Sequence, residues 1–97
     1  MNDITLSKWD SADYLKTEED RALYFEACLE ENDPQLIAHA LGVIARARSM
    51  SQLAKDTGLS RESLYKALSS EGNPSFATIL KVTQALGLQL HATARPQ

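Results

Sequence analysis

Apolar positions recur at spacings of three and four along most of the chain, and Pro34, Gly58, Gly72, Pro74 and Gly87 break the pattern into short amphipathic helices. Asp10 is placed to cap a short helix through Tyr14 and Leu15. Thr17 opens a longer one, with Asp20 three residues on in the arrangement of a capping box and Ala22, Phe25, Cys28 and Leu29 as its apolar side. Asp33-Pro34 starts a third, because the carboxylate accepts from orphan amides and proline at the first helical position forfeits no hydrogen bond. Its apolar set is Ile37, Ala40, Leu41, Ile44 and Ala45, and it ends near Arg48, where cations suit the dipole.

Ser49 with Gln52 fits a second capping box, and Gly58 predicts the end of the short helix that follows. Ser60 then caps another, running through Leu64 to about Leu68, before the loop Ser69-Ser70-Glu71-Gly72-Asn73-Pro74. Ser75 caps a last helix with Phe76, Ile79, Leu80, Val82, Thr83 and Leu86 as its buried face and Gly87 as its end. In the tail the period changes to two: Leu88, Leu90, Ala92 and Ala94 alternate with Gln89, His91 and Thr93, which reads as a short strand. Such a strand needs a partner, either Ile4-Thr5-Leu6-Ser7 or the same tail of a second subunit. The fold class is therefore all-α, a bundle of five to six helices with room for a short terminal strand. With 97 residues it forms one core, on which a helical extension, residues 1–33, packs against residues 34–97.

Charge divides the chain at the same place. Residues 1–33 hold ten acidic and three basic side chains, a net of −7, whereas residues 34–97 hold seven basic and three acidic, a net of +4. The second part suits phosphate, and the first suits a cationic protein or faces away from nucleic acid. The acids Glu18, Glu19 and Asp20 also suit the positive end of a helix dipole. Cys28 is the single cysteine, which excludes an internal disulfide and fits a reducing, cytoplasmic compartment. Neither a membrane span nor a signal peptide is legible.

The most informative stretch is Ala54-Lys55-Asp56-Thr57-Gly58-Leu59-Ser60, followed by Leu64 and Leu68. Ala54 is small where a second helix crosses closely, Gly58 allows a tight turn, Leu59 tucks inward and Ser60 starts the next helix. With Leu64 and Leu68 held inward, Arg61, Glu62, Ser63, Tyr65 and Lys66 face outward, the geometry of a helix-turn-helix whose second helix enters a major groove. Arg61 matches the two acceptors of guanine, or a phosphate; Ser63 and Glu62 come next, Glu62 either accepting from cytosine or orienting Arg61. Ser51, Gln52, Lys55 and Lys66 suit phosphates, and Ser60 and Asn73 complete the set of DNA-facing candidates, although Asn73-Pro74-Ser75 reads more readily as a plain turn and cap. One short helix reads few base pairs, so a homodimer is expected, its reading helices about 34 to 36 Å apart.

Nothing points to catalysis. His39 and His91 stand without a Cys or carboxylate at metal-ligand spacing, the serines have no histidine near them in sequence, and there is no glycine-rich phosphate loop, so neither metal nor cofactor is expected. Trp9, Tyr14, Tyr24 and Phe25 suit core or subunit contacts.

From residue 37 to residue 86 the pattern resembles the phage-repressor-like (Cro/repressor) helix-turn-helix domains. A narrower likeness covers nearly the whole chain. Leu6-Ser7-Lys8-Trp9-Asp10, Tyr14-Leu15-Lys16-Thr17-Glu18-Glu19-Asp20, Met50-Ser51-Gln52-Leu53-Ala54, Gly58-Leu59-Ser60-Arg61-Glu62-Ser63-Leu64-Tyr65-Lys66-Ala67-Leu68 and Gly72-Asn73-Pro74-Ser75-Phe76 resemble the addiction-module antidote proteins. Membership would imply a lambda-repressor-like bundle and a bacterial or prophage antitoxin encoded beside a RelE/ParE-like toxin. Such a protein binds its cognate toxin and represses the shared promoter, as a dimer on double-stranded operator DNA. Two other readings fit the residues: a stand-alone prophage-type repressor, and a protein-interaction module in which the helix pair is only scaffold.

Overall fold

Each helix begins at a side chain that takes over orphan backbone amides. The computed structural model describes residues 15–96, and these form α1 (Glu18–Leu29), α2 (Pro34–Arg48), α3 (Met50–Thr57), α4 (Arg61–Ala67) and α5 (Phe76–Ala85). The caps are five of the six the sequence predicts, Asp10 lying outside the described residues. Thr17 accepts from the Asp20 amide while the Asp20 carboxylate accepts from the Thr17 amide, a complete box. Asp33 accepts from Gln35 and Leu36 ahead of Pro34, and Ser49, Ser60 and Ser75 each accept from the amide three residues on. The box expected at Ser49 is only half made, because the Gln52 side chain turns forward and donates to the Asp56 carboxylate at 2.8 Å. An ion-dipole bond one helical turn ahead displaces the backward reach.

Helix α2 is the centre of the molecule, packed by α1, α3 and α4, while α5 closes on α3. Ala40, Leu41, Val43, Ile44 and Ala45 are all buried on α2, and Phe25, Cys28, Leu53, Leu64, Leu68, Val82 and Leu86 come to them from the other four helices. Each large side chain so buried contributes about 1.5–3 kcal/mol. Gly42 faces the end of α4: a β-carbon there would lie on the backbone carbonyl of Leu68, so this glycine sets how closely the two helices approach.

Two predicted faces are corrected. On α1 the buried line is Arg21, Phe25 and Cys28, and Ala22 is exposed. These three recur at four and three residues, which leaves Ala22 turned away, and Arg21 is tolerated inside because its Nη1 donates to the Leu15 carbonyl at 2.9 Å. On α5, Val82, Thr83 and Leu86 are buried and Ile79 partly so, but Phe76 and Leu80 lie outside at 68% and 43% exposed. Thr83 is accommodated by donating its hydroxyl to the Leu80 carbonyl at 3.0 Å.

The tail is also corrected. Gly87 turns the chain at φ +76°, and Leu88 and Leu90 then pack partly buried against the core while Gln89 and His91 are exposed. Alternating burial is therefore real, but no strand forms among the described residues, since period two arises wherever an extended chain lies on an apolar surface. The Asp10 cap, Trp9, Tyr14 and the Ile4–Ser7 partner fall outside the described residues. No helix among those described is long and apolar enough to cross a membrane.

Candidate nucleic-acid interface

Three residues separate α3 from α4, and each has a defined task. The chain leaves α3 through Gly58, whose φ of +77° is a left-handed conformation that glycine adopts without penalty, and its amide donates to Ala54 at 2.9 Å. Thr57 braces the exit: its hydroxyl donates to the Leu53 carbonyl at 2.8 Å and accepts from the Leu59 amide at 3.3 Å. Leu59 and Ala54 are partly buried against the core. Ser60 then accepts from the Ser63 amide at 3.0 Å and donates to the Ser63 hydroxyl at 2.9 Å, which leaves Ser63 its own proton to give.

Leu53, Leu64 and Leu68 point inward, at 2%, 0% and 3% exposed. Their phase turns Arg61, Glu62, Ser63, Tyr65 and Lys66 to solvent. The Arg61 guanidinium lies 5.9 Å from the centroid of the Tyr65 ring, one turn along α4. Tyr65, and not Glu62, is thus the neighbour over which Arg61 rests, a cation–π contact that narrows the conformations of a long side chain.

Lys66, Ser63 and Asn73 meet at one place. With Ser69, Glu71 and Gly72 they line a depression of about 420 Å³ between α4 and the returning loop. Ser51, Gln52 and Lys55 are exposed on α3, apart from that depression, and Gln52 is engaged with Asp56. Over residues 49–68 three cations face two carboxylates, so the surface is mildly cationic. His39 and His91 are both exposed, and no group of three or more His, Cys, Asp or Glu among the described residues is placed to hold a metal ion.

Sequence reasoning missed Thr57 as a brace, Tyr65 as the platform for Arg61, and Gly42 as the seat of Leu68. The signal for Gly42 was present, a glycine in the middle of the apolar run Ala40-Leu41-Gly42-Val43-Ile44, where helix propensity argues against it unless something approaches closely.

The chain matches a family model described as "Probable addiction module antidote protein" over residues 5–94. It is also similar to an uncharacterised protein of Haemophilus influenzae, with 56% identity over 84 residues, 87% of each chain. No solved structure matches.

Proposed function

The chain belongs to the family of addiction module antidote proteins, and from that premise we propose that α3, its turn and α4 form a DNA-reading helix-turn-helix. Through it the protein represses its own promoter, while it also binds and neutralises a toxin of the RelE/ParE-like kind. One observation carries the DNA reading: α4 spends its apolar residues inward and presents Arg61, Glu62, Ser63, Tyr65 and Lys66 together at an exposed surface, beginning at its N-terminus. Arg61, steadied by Tyr65, and Ser63, with a free hydroxyl proton, are the base-reading groups. Lys66 with Asn73 and Lys55 with Ser51 are the phosphate-holding ones.

Phe76 and Leu80 on α5 support a homodimer, because two large exposed apolar side chains four residues apart on one helix are the material of a subunit contact. Binding of the full chain to duplex DNA from its own upstream region, followed by fluorescence anisotropy across a salt series, tests the DNA reading. Affinity is expected to fall steeply with salt and to drop roughly ten- to a hundredfold for Arg61→Ala. Binding that is absent or indifferent to salt would refute it.

A further inference from the structure

Helix α1 carries acids of two kinds. Glu18, Glu19 and Asp20 occupy its first turn, where the positive end of the dipole favours them. Glu26 and Glu30 stand toward the other end, with no basic residue in the last turn to offset them, and at four residues apart they repel one another. The stability of this helix therefore does not account for them.

Both belong to a single exposed stripe. Glu19, Leu23, Glu26 and Glu30 follow at spacings of four, three and four, on the side of α1 opposite the buried line Arg21, Phe25 and Cys28. At the middle of that stripe Leu23 is 60% exposed, a large apolar side chain among carboxylates. Arg21, the one cation of the helix, is turned into the core and bonded to the Leu15 carbonyl, so it does not neutralise this face. An apolar anchor surrounded by charges of one sign has the composition of a protein contact: the anchor supplies affinity once it is desolvated, and the rim supplies attraction and register.

We propose that the outer face of α1 is the docking surface for a small basic protein, with Leu23 seated in an apolar socket and Glu19, Glu26 and Glu30 paired to cations around it. The inference rests on the antidote reading, since the occupant is the toxin. It assigns toxin binding to α1 and DNA binding to α3 and α4, so one subunit is able to hold both at once. Duplex DNA is excluded as the occupant by the sign of the charge.

The test uses the full chain and the purified protein encoded by the adjoining gene, with binding kinetics measured at about 50 and 300 mM salt. Leu23→Ala is expected to weaken the complex at least tenfold, mainly by faster dissociation. The triple variant Glu19→Gln, Glu26→Gln, Glu30→Gln is expected to associate at least tenfold more slowly at low salt and to lose most of the salt dependence. Both variants should bind operator DNA as the parent does, which shows that they fold. If the parent chain does not bind the neighbouring protein, the antidote reading fails and this inference falls with it. If the parent binds and both variants bind equally well, the docking surface on α1 is refuted while the antidote reading stands.

Discussion

A β-carbon added to Gly42, buried at the middle of α2, would fall on the backbone carbonyl of Leu68, the residue that closes α4. Glycine inside a helix ordinarily costs about 1 kcal/mol relative to alanine, so Gly42→Ala would stabilise an isolated α2. Here the sign reverses. The added methyl meets a backbone oxygen that cannot rotate away, and α4 must shift with it. Net destabilisation of about 1–3 kcal/mol is expected, as for an overpacked core. Thermal unfolding checks it, since about 1 kcal/mol lowers Tm by roughly 4–8 °C in a domain of this size. Because the shift moves α4, operator binding should suffer too.

Gly58→Ala should behave differently. No atom lies within 4 Å of where its β-carbon would be, and φ is +77°, so the penalty is conformational alone, about 1–2 kcal/mol. A Tm drop without any change in DNA affinity at low temperature is expected. A larger loss of DNA binding than Gly42→Ala would contradict this account of the turn.

On the proposed DNA-reading surface, Tyr65 is expected to act through Arg61. Tyr65→Leu removes the ring under the guanidinium but keeps bulk, and it should weaken operator binding about two- to fivefold, in line with roughly 0.5–1 kcal/mol for an exposed cation–π contact. In an Arg61→Ala background the same change should have little further effect. A Tyr65→Leu effect undiminished in that background would show that the ring contacts DNA on its own account.

How much of this was legible follows from the range of the interactions involved. The five caps at Thr17, Asp33, Ser49, Ser60 and Ser75 were readable because a cap is settled within four residues. The exposure of Arg61 and Lys66 was readable because Leu64 and Leu68 fix the phase of a short helix. By contrast, periodicity says that a helix has an apolar side without saying which edge of it a neighbour covers. Hence Arg21 went inside and Ala22 outside, and Phe76 and Leu80 were left uncovered. Asn73 joins Ser63 and Lys66 only because the loop returns along α4, a fact of tertiary structure. The Arg61–Tyr65 contact, at one helical turn, was within reach of sequence reasoning, but Glu62 competed for the same role.

Alkaline pH should loosen the α1–α2 packing. Burial raises the Cys28 thiol above its ordinary value of 9.0 against the opposing hydrogen bond from Tyr24, and burial with the nearby sulfur raises the Tyr24 phenol above 10.0 despite Arg46. The folded chain therefore keeps both protons at a pH where the unfolded chain has begun to release them. Their contribution is fully present below about pH 9 and is lost as pH rises through the folded values. Denaturant unfolding at pH 8 and about pH 10 should show this decline, and Cys28→Ala with Tyr24→Phe should flatten it. An equal slope in that double variant would assign the decline to other groups.

Phe76 and Leu80 carry the last expectation, since a dimer built on α5 makes oligomeric state and DNA affinity fall together. Neither side chain is in the core, so Phe76→Glu should leave the Tm within a few degrees of the parent while shifting the protein to a monomer in sedimentation equilibrium. A monomer holds one half-site where a dimer holds two, so operator affinity should fall at least a hundredfold, far more than one lost side-chain contact would produce. Binding to an isolated half-site should change little, because α4 itself is untouched. A variant that remains dimeric, or one whose half-site binding collapses as well, would place the subunit contact elsewhere than on α5.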